Sequence, residues 1–245
     1  LGIDFGGSGI KGAPVDTKTG KLINERFRIP TPSPSTPKKV VEVIQRIVEH
    51  FDWKGPIGLA FPAVVLNGVV KTASNIDQSW VGTDVAKLII EKTGLPTYVV
   101  NDADAAGMAE MKFGAGKGKK GSIVLITVGT GIGTVFFTRG KLVPNTELGH
   151  VFLKSGMEAE DFTSDAVRKR EDLSWEIWAK RFDVYLHEIE KLFWPELIII
   201  GGGVSKKKEL FIEHLKKNPN FWTLVEPDYP QLLLEIPSPP AILYY

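Results

Sequence analysis

The sequence predicts an α/β fold built from two similar halves with a cleft between them, and three observations carry that expectation. A strand, a glycine turn and a second strand recur at two places, Leu1–Phe5 into Ile10–Val15 and Ser122–Val128 into Gly131–Thr138. Each pair runs on to a further short strand and then to segments with apolar residues at helical spacing. The 245 residues are 43% hydrophobic, enough for one large domain or two modest ones.

In the first half, Leu1–Phe5, Ile10–Val15 and Leu22–Ile29 read as an antiparallel meander joined by glycine-containing turns. Pro30 to Pro37 is a Pro/Ser/Thr loop, since repeated proline removes backbone donors. Val40, Val41, Ile44, Ile47 and Val48 line one face of a helix, and Ile57–Phe61 is a short apolar strand behind a Gly-Pro break. Val85–Lys92 reads as a helix, Thr97–Val100 as a strand and Asp102–Phe113 as a helix of small residues. The pattern then restarts with Ser122–Val128, Gly131–Thr138 and, after the Arg139-Gly140 turn, Lys141–Val143. A long helical region at Asp161–Phe193, a strand at Glu196–Ile200, a turn at Gly201–Gly203 and a helix from Lys206 to about Lys217 complete the second half. The expected division is 1–104 for a smaller N-terminal domain and 105–245 for a larger C-terminal one. Ligands in such folds settle beyond the carboxyl ends of the strands.

Charge and composition exclude several classes of function. Thirty basic residues against 29 acidic ones leave a formal net charge of +1, so no global field recruits nucleic acid or an acidic membrane. The absence of cysteine excludes a disulfide framework, a thiolate nucleophile and Cys-ligated zinc, and fits a cytoplasmic location. No apolar run approaches the ~20 residues that span a bilayer, Leu197–Ile200 being strand-sized. The chain opens at Leu1 in mid-strand, so residues upstream are expected.

Three glycine turns, each behind an apolar strand, supply the main chemical signal: Gly6-Gly7-Ser8-Gly9, Gly129-Thr130-Gly131-Ile132-Gly133 and Gly201-Gly202-Gly203. Any one of them is an ordinary hairpin or loop turn. As an ordered set they offer backbone N–H groups and hydroxyls to a phosphate chain. A Rossmann fingerprint is excluded because Gly129–Gly133 leads into the strand-like Thr134-Val135-Phe136-Phe137, and no Walker sequence is present. Asn101-Asp102 follows a strand and opens a helix, which reads either as a helix cap or as a general base beside a sugar hydroxyl. Asp4, also at a strand end, suits a hydrated Mg²⁺. Glu147-Leu148-Gly149-His150 and Asn75 are either turn and surface residues or the polar lining of a sugar pocket. Lysines 112, 117, 119 and 120, and the group Lys154, Arg168, Lys169 and Arg170, are either solvated faces or a local track for a polyanion. No aromatic stripe alternates with these lysines, which disfavours a nucleic-acid groove.

These motifs, in this order and over nearly the whole chain to about Lys206, resemble those of the ROK (repressor, open reading frame, kinase) family of sugar kinases. The stretches that carry the resemblance are Asp4–Lys11, Asn101-Asp102-Ala103, Thr127–Gly133, Glu147–His150 and Ile200–Val204. Within the family the similarity is greatest to the polyphosphate-using glucokinase branch. Most members carry a Cys-rich zinc motif soon after Glu-x-Gly-His, whereas this chain continues without cysteine from Val151 to Arg181, as that branch does. The resemblance implies two actin-like (ribonuclease H-like) α/β domains and transfer of a phosphoryl group from inorganic polyphosphate or ATP to the 6-hydroxyl of glucose. It further implies Asp102 as base, with Asn75, Asn101, Asp102, Glu147 and His150 holding glucose. Gly6, Gly7, Ser8, Gly9, Lys11, Gly129, Thr130 and Gly131 would hold phosphates, with Gly201, Gly202 and Gly203 on the nucleotide side. Asp4 would act through Mg²⁺ and water. A homodimer without nucleic-acid or membrane partners is the assembly the resemblance implies.

The end of the chain departs from the family. Relatives close with a small-residue stretch on a final helix, where this sequence has Gln231–Tyr245, rich in proline from Pro227 onward. The alternative function is therefore a non-catalytic sugar-binding or regulatory relative with a degenerate C-terminus, which a DNA-binding region upstream of Leu1 would favour. A filament protein is disfavoured because Glu147–His150 would have no role in one.

Overall fold

The computed structural model describes residues 1–74 and 76–215. Asn75, the end of the helix expected at Lys206–Lys217 and the proline-rich terminal segment lie outside the described residues. Two compact units divide the chain, the first holding Leu1–Ala109 and the second beginning at Glu110. No helix among the described residues is long and apolar enough to cross a membrane.

The first unit is built on a five-stranded sheet. Strands β1 (Gly2–Gly6) and β2 (Gly9–Ala13) pair antiparallel, Gly6 opposite Gly9, with Gly7-Ser8 as the connecting turn. Then come β3 (Phe27–Ile29), α1 (Pro37–His50), β4 (Ile57–Phe61), the small hairpin β5 (Val65–Leu66) and β6 (Val69–Val70), α2 (Val85–Thr93), β7 (Thr97–Asn101) and α3 (Asp102–Phe113). The sheet order is β3-β2-β1-β4-β7, with β4 parallel to both β1 and β7. Pro37 opens α1, where its missing N–H costs nothing, and Val40, Val43, Ile44 and Ile47 are buried on one face. Asp84 caps α2 through Lys87 N–H at 2.9 Å, and Gly94, at φ 73°, ends it. Phe5, Phe61 and Trp80 pack edge to face in the core, and the Trp80 indole N–H donates to Ser35 O at 2.8 Å.

Two details differ from the sequence reading. The strand expected at Leu22–Ile29 shortens to β3, Leu22 keeping an isolated bridge to Val15. Asp16 gathers Lys18 N–H and the Thr19 hydroxyl, each at 2.8 Å, into a tight turn, and the polar run Asn24–Arg26 has no apolar face to bury. The β5–β6 hairpin has Asn67 and Gly68 at its turn, both at positive φ, a signal that the short flanking strands obscured.

The second unit repeats the plan. Strands β8 (Ile123–Val128), β9 (Ile132–Thr138) and β10 (Lys141–Val143) are followed by α4 (Ala159–Thr163), α5 (Asp165–Arg170), α6 (Trp175–Phe193) and β11 (Leu197–Gly201). The sheet order β10-β9-β8-β11, with β11 parallel to β8, matches β3-β2-β1-β4 of the first unit. Trp178, Phe182, Leu186 and Ile189 of α6 pack on Val124, Ile126, Ile198 and Ile200. The helical region expected at Asp161–Phe193 is three helices, because Ser164 and Ser174 stand at breaks and cap α5 and α6 through Val167 N–H and Ile177 N–H. After β11 the chain runs through 3₁₀ turns at Gly203–Leu210 and Ile212–His214 in place of an α-helix. Lys207 has a non-helical backbone there, and Phe211 is fully buried against Trp175 and Trp178.

Gly12 shows how tightly α1 sits on the first sheet. A Cβ there would lie 2.4 Å from Ile47 Cγ2, whereas one on Gly7 would meet nothing within 4 Å. Gly12→Ala should therefore cost about 1–3 kcal/mol in urea unfolding, and Gly7→Ala much less; equal costs would contradict this packing.

Candidate active site

In the first unit both Asn101 and Asp102 accept backbone N–H groups at the start of α3. Asn101 does most of the capping: its Oδ1 accepts Ala103 N–H at 2.9 Å and Asp104 N–H at 3.2 Å, and its Nδ2 donates to Ala63 O at 3.2 Å. Asp102 begins α3 half-buried, its Oδ1 accepting Ala103 N–H at 2.8 Å, and no cation pairs with it among the described residues. Burial raises its pKa above the ordinary aspartate value.

Asp4 sits in the middle of β1, buried, opposite Lys11 of β2, whose Nζ lies 3.4 Å from its Oδ2. Burial pushes its pKa up to about 6; Lys11 opposes the rise and the Asp102 charge adds to it. Lys11, expected at a phosphate, is engaged with Asp4 and largely buried.

The Gly6–Gly9 turn is braced by residues the sequence did not single out. Arg28 Nη2 donates to Ser8 O and Thr31 Oγ1 to Gly6 O, both at 2.6 Å. A Cβ on Gly9 would strike the Arg28 guanidinium at 2.5 Å, so the glycine is what lets that cation lie across the turn. Ser8 is exposed at its tip. An open depression of about 290 Å³ beside it is lined by Gly7, Thr31, Ser33, Ser35, Ile76 and Asp77.

The second unit brings its motifs together at the carboxyl ends of β8 and β11. The Gly129–Gly131 turn closes with Gly129 N–H on Gly131 O at 2.9 Å, and Gly129 O accepts from Asp165 N–H at 3.0 Å at the start of α5. Thr130 is exposed, and no hydrogen bond within the described residues takes up the Thr130 or Gly131 amide. Gly202, at φ 80°, lies against Val128, where a Cβ would come within 2.6 Å of backbone N and O. The second and third glycine turns are therefore neighbours in the fold, as their strands predict.

The Glu147–His150 motif packs on the same turn. Leu148–His150 is a 3₁₀ turn, and a Cβ on Gly149 would lie 2.6 Å from Ile132 O. Glu147 and His150 are both exposed, and His150 Nδ1 is 2.6 Å from Glu158 Oε2. That hydrogen bond, with the charges of Glu158, Glu160 and Glu147, raises the His150 pKa. Glu160 Oε2 accepts Ile132 N–H at 2.7 Å, and a Cβ on Gly131 would meet that oxygen at 2.4 Å.

Sequence reasoning missed Arg28, Glu158 and Glu160. The acidic Glu158-Ala159-Glu160 at the start of α4 was visible, but its purpose depends on a chain reversal. The basic groups considered as a polyanion track are partly engaged: Lys119 lies 3.7 Å from Glu196, while Arg168 and Lys169 both contact Asp165. Arg168 also stacks over Trp175, 4.1 Å from its ring centre, with Lys207 at 5.8 Å. Among the described residues no three His, Asp or Glu side chains converge as a metal cage.

Comparison with known proteins places this arrangement. Residues 1–169 match the ROK family. The polyphosphate glucokinase of Mycobacterium tuberculosis is 46% identical over 217 residues, which span 88% of this chain and 82% of that protein. The crystal structure of the inorganic polyphosphate/ATP-glucomannokinase from Arthrobacter sp. strain KM is similar with a TM-score of 0.83 and 44% identity, covering 91% of this chain and 90% of that one. A ROK family glucokinase from Streptomyces griseus, solved with glucose and AMPPNP, shares the fold at a TM-score of 0.73 and 24% identity, over 88% and 86% of the two chains. The two repeated sheets are those of the actin-like α/β fold, and the chain belongs to the ROK family.

Proposed function

We propose that this chain is a sugar kinase that moves a phosphoryl group from inorganic polyphosphate, with ATP as a second donor, to the 6-hydroxyl of glucose. The observation that carries the reading is the arrangement at the end of β7: Asn101 takes most of the capping of α3, and the Asp102 carboxylate, which accepts only Ala103 N–H among the described hydrogen bonds, stands at the helix start with no cation paired to it among the described residues. A half-buried carboxylate with a raised pKa is a stronger base than one in water. Asp102 accepts the hydroxyl proton as the sugar oxygen attacks the terminal phosphorus, and the shortened donor leaves with its bridging oxygen. Asn101, Glu147 and His150 are assigned to the sugar hydroxyls, which need both donors and acceptors. Asn75 is assigned with them from the sequence alone. The Thr130 and Gly131 amides and the Ser8 turn, with Arg28 across it, are assigned to phosphate oxygens. The Gly201–Gly203 turn is assigned to the nucleoside end when ATP is the donor. The names of the Mycobacterium tuberculosis and Arthrobacter relatives support polyphosphate as donor. A cytoplasmic location is consistent with a chain lacking cysteine.

The residues fit a divalent cation. Asp4, buried and carrying a pKa raised by burial and by Asp102 despite the nearby Lys11 and Arg26, is a carboxylate whose charge these cations do not fully offset. Mg²⁺ held there through water would offset charge on the donor phosphates. Asp4 and Lys11 set that site's charge, and Asp102 keeps its own role as base.

Purified protein given glucose and Mg²⁺ should form glucose 6-phosphate with polyphosphate, and more slowly with ATP. No product from either donor, in a folded sample that binds glucose, would overturn the assignment. In the same assay Asp102→Asn should lower kcat by about 10²–10⁴-fold while glucose binding persists.

Asp4 gives a prediction in stability. Its folded pKa of about 6 lies above the ordinary aspartate value of 3.8, so the folded state retains a proton that the unfolded chain has lost. Its contribution is full below about pH 4 and is lost as pH rises through 6. Asn at this position carries no charge, so the stability of Asp4→Asn relative to wild type should increase between pH 4 and 7.5, by on the order of 2–3 kcal/mol. Metal-free urea titrations at the two pH values measure it; a difference independent of pH would contradict the buried charge.

A further inference from the structure

We propose that Arg168 and Lys207, held on the Trp175 ring, form a subsite for phosphates of inorganic polyphosphate beyond the one transferred, a subsite that the uncharged nucleoside end of ATP does not fill. The inference rests on the reading of the chain as a polyphosphate-using sugar kinase and adds to it a second contact with the donor, made wholly by the second unit.

The fold fixes the platform first. Trp175 opens α6 behind the Ser174 cap, and its half-buried ring stacks on Phe211, 6.0 Å between centres, and meets Trp178 edge to face at 5.6 Å. Arg168 lies over this ring at 4.1 Å and Lys207 at 5.8 Å, so one aromatic ring carries two cations. Asp165 N–H and Ala166 N–H donate to Gly129 O at 3.0 and 3.3 Å, so α5 springs from the Gly129–Gly131 turn and Arg168 stands about one helical turn further along it. Lys207 follows the Gly201–Gly203 turn, whose Gly202 rests on Val128. Both cations are thus tied by short lengths of chain to turns that the proposed function gives to the donor.

The charges in this group do not balance. Arg168 uses Nε on Asp165 Oδ1 at 2.8 Å, and no hydrogen bond within the described residues takes either of its Nη groups, although its side chain is only 16% exposed. Lys169 Nζ shares the same carboxylate, 2.7 Å from Oδ2. Lys207 is exposed and pairs with no acid among the described residues. The group therefore holds three cations and one carboxylate, and Glu171, at the end of α5, is taken by Arg181 at 2.7 Å and Arg170 at 3.6 Å. A guanidinium held by Nε and by stacking presents its Nη edge as a fork, which suits two oxygens of one phosphate. The occupied ring favours this ligand over a nucleobase, which would have to displace a cation to stack there. Polyphosphate repeats its charge along the chain, so a chain whose end is held at the Thr130 and Gly131 amides still has charge to offer to Arg168 and Lys207. ATP has three phosphates and then a neutral nucleoside.

The test uses the full chain with Arg168→Gln, Lys207→Gln and, as a control for net charge, Lys54→Gln in the first unit. Binding of long-chain polyphosphate is measured by titration calorimetry, and KM is measured for polyphosphate and for ATP with glucose and Mg²⁺. Arg168→Gln should raise the polyphosphate Kd on the order of 10-fold, and Lys207→Gln about 3-fold. The polyphosphate KM should follow, the ATP KM should change less, and Lys54→Gln should leave the polyphosphate Kd as in wild type. Lys207 is exposed, so its variant keeps the test open if Arg168→Gln fails to fold. A wild-type Kd in Lys207→Gln and in folded Arg168→Gln overturns the proposal, as does an equal loss for ATP and polyphosphate or an equal loss in Lys54→Gln. Wild-type protein that turns over ATP but binds no polyphosphate overturns the subsite and leaves the kinase reading standing. Protein that binds polyphosphate without forming glucose 6-phosphate from either donor fails the kinase reading, while the titrations still decide the subsite.

Discussion

Negative charge held partly out of water, with too little positive charge beside it, is the constraint around which the first unit is organised. Asp4 lies on β1 and Asp102 just beyond β7, and β4 runs parallel between those two strands. A parallel sheet of this kind is covered on its faces and normally carries apolar residues such as Ile3, Phe5, Leu59 and Phe61. An aspartate in that setting carries a desolvation cost that nearby cations only partly offset. Lys11 and, more weakly, Arg26 offset Asp4 in part, yet the pKa of Asp4 still rises to about 6. Asn101 takes Asp104 N–H at the start of α3 and shares Ala103 N–H with Asp102, whose carboxylate has no cation paired with it among the described residues. The same unit carries Arg28 across the Gly6–Gly9 turn, a positive charge suited to an anionic partner.

The second unit meets the opposite requirement, since it must bring backbone close to backbone. Gly202 against Val128 and Gly149 against Ile132 are backbone contacts that no other residue allows without displacement, and Gly131 leaves room for the Glu160 carboxylate. They draw the Gly129–Gly133 turn, the Gly201–Gly203 turn and the Glu147–His150 motif into one cluster. Its apolar support is α6, whose Trp178 and Phe182 lie under β8 and β11 and whose Trp178 N–H is satisfied by Thr163 O at 2.8 Å. Polar chemistry on one side of the cluster thus depends on aromatic packing on the other.

Much of this was legible in the sequence, and the reasons for the exceptions are physical. The repeat of strand, glycine turn and strand is spelled out residue by residue, and the two sheets share their strand order. The helices at Val40–Val48 and Val85–Lys92 follow from apolar spacing. Asp161–Phe193 misled because Ser164 and Ser174 interrupt the helix through side-chain hydrogen bonds while the apolar spacing continues. Sequence alone does not divide the capping of α3 between Asn101 and Asp102, since both residue types cap helices, and in the structure they share Ala103 N–H. Arg28, Glu158 and Glu160 were hidden for a different reason: each reaches its partner through a chain reversal that local pattern does not encode. Ser8 and Arg28 are 20 positions apart, and Ile132 and Glu160 are 28 apart.

The central claim is that Asp102, with its pKa raised by burial, takes the proton from the sugar. The most direct measurement is the pH dependence of kcat/KM for glucose, from pH 4 to 9, at saturating donor and Mg²⁺. The account predicts an acid limb displaced above the ordinary aspartate range, because the donor-bound, glucose-free enzyme must lose the Asp102 proton before Asp102 can act as base. A profile flat down to the ordinary aspartate range would contradict it.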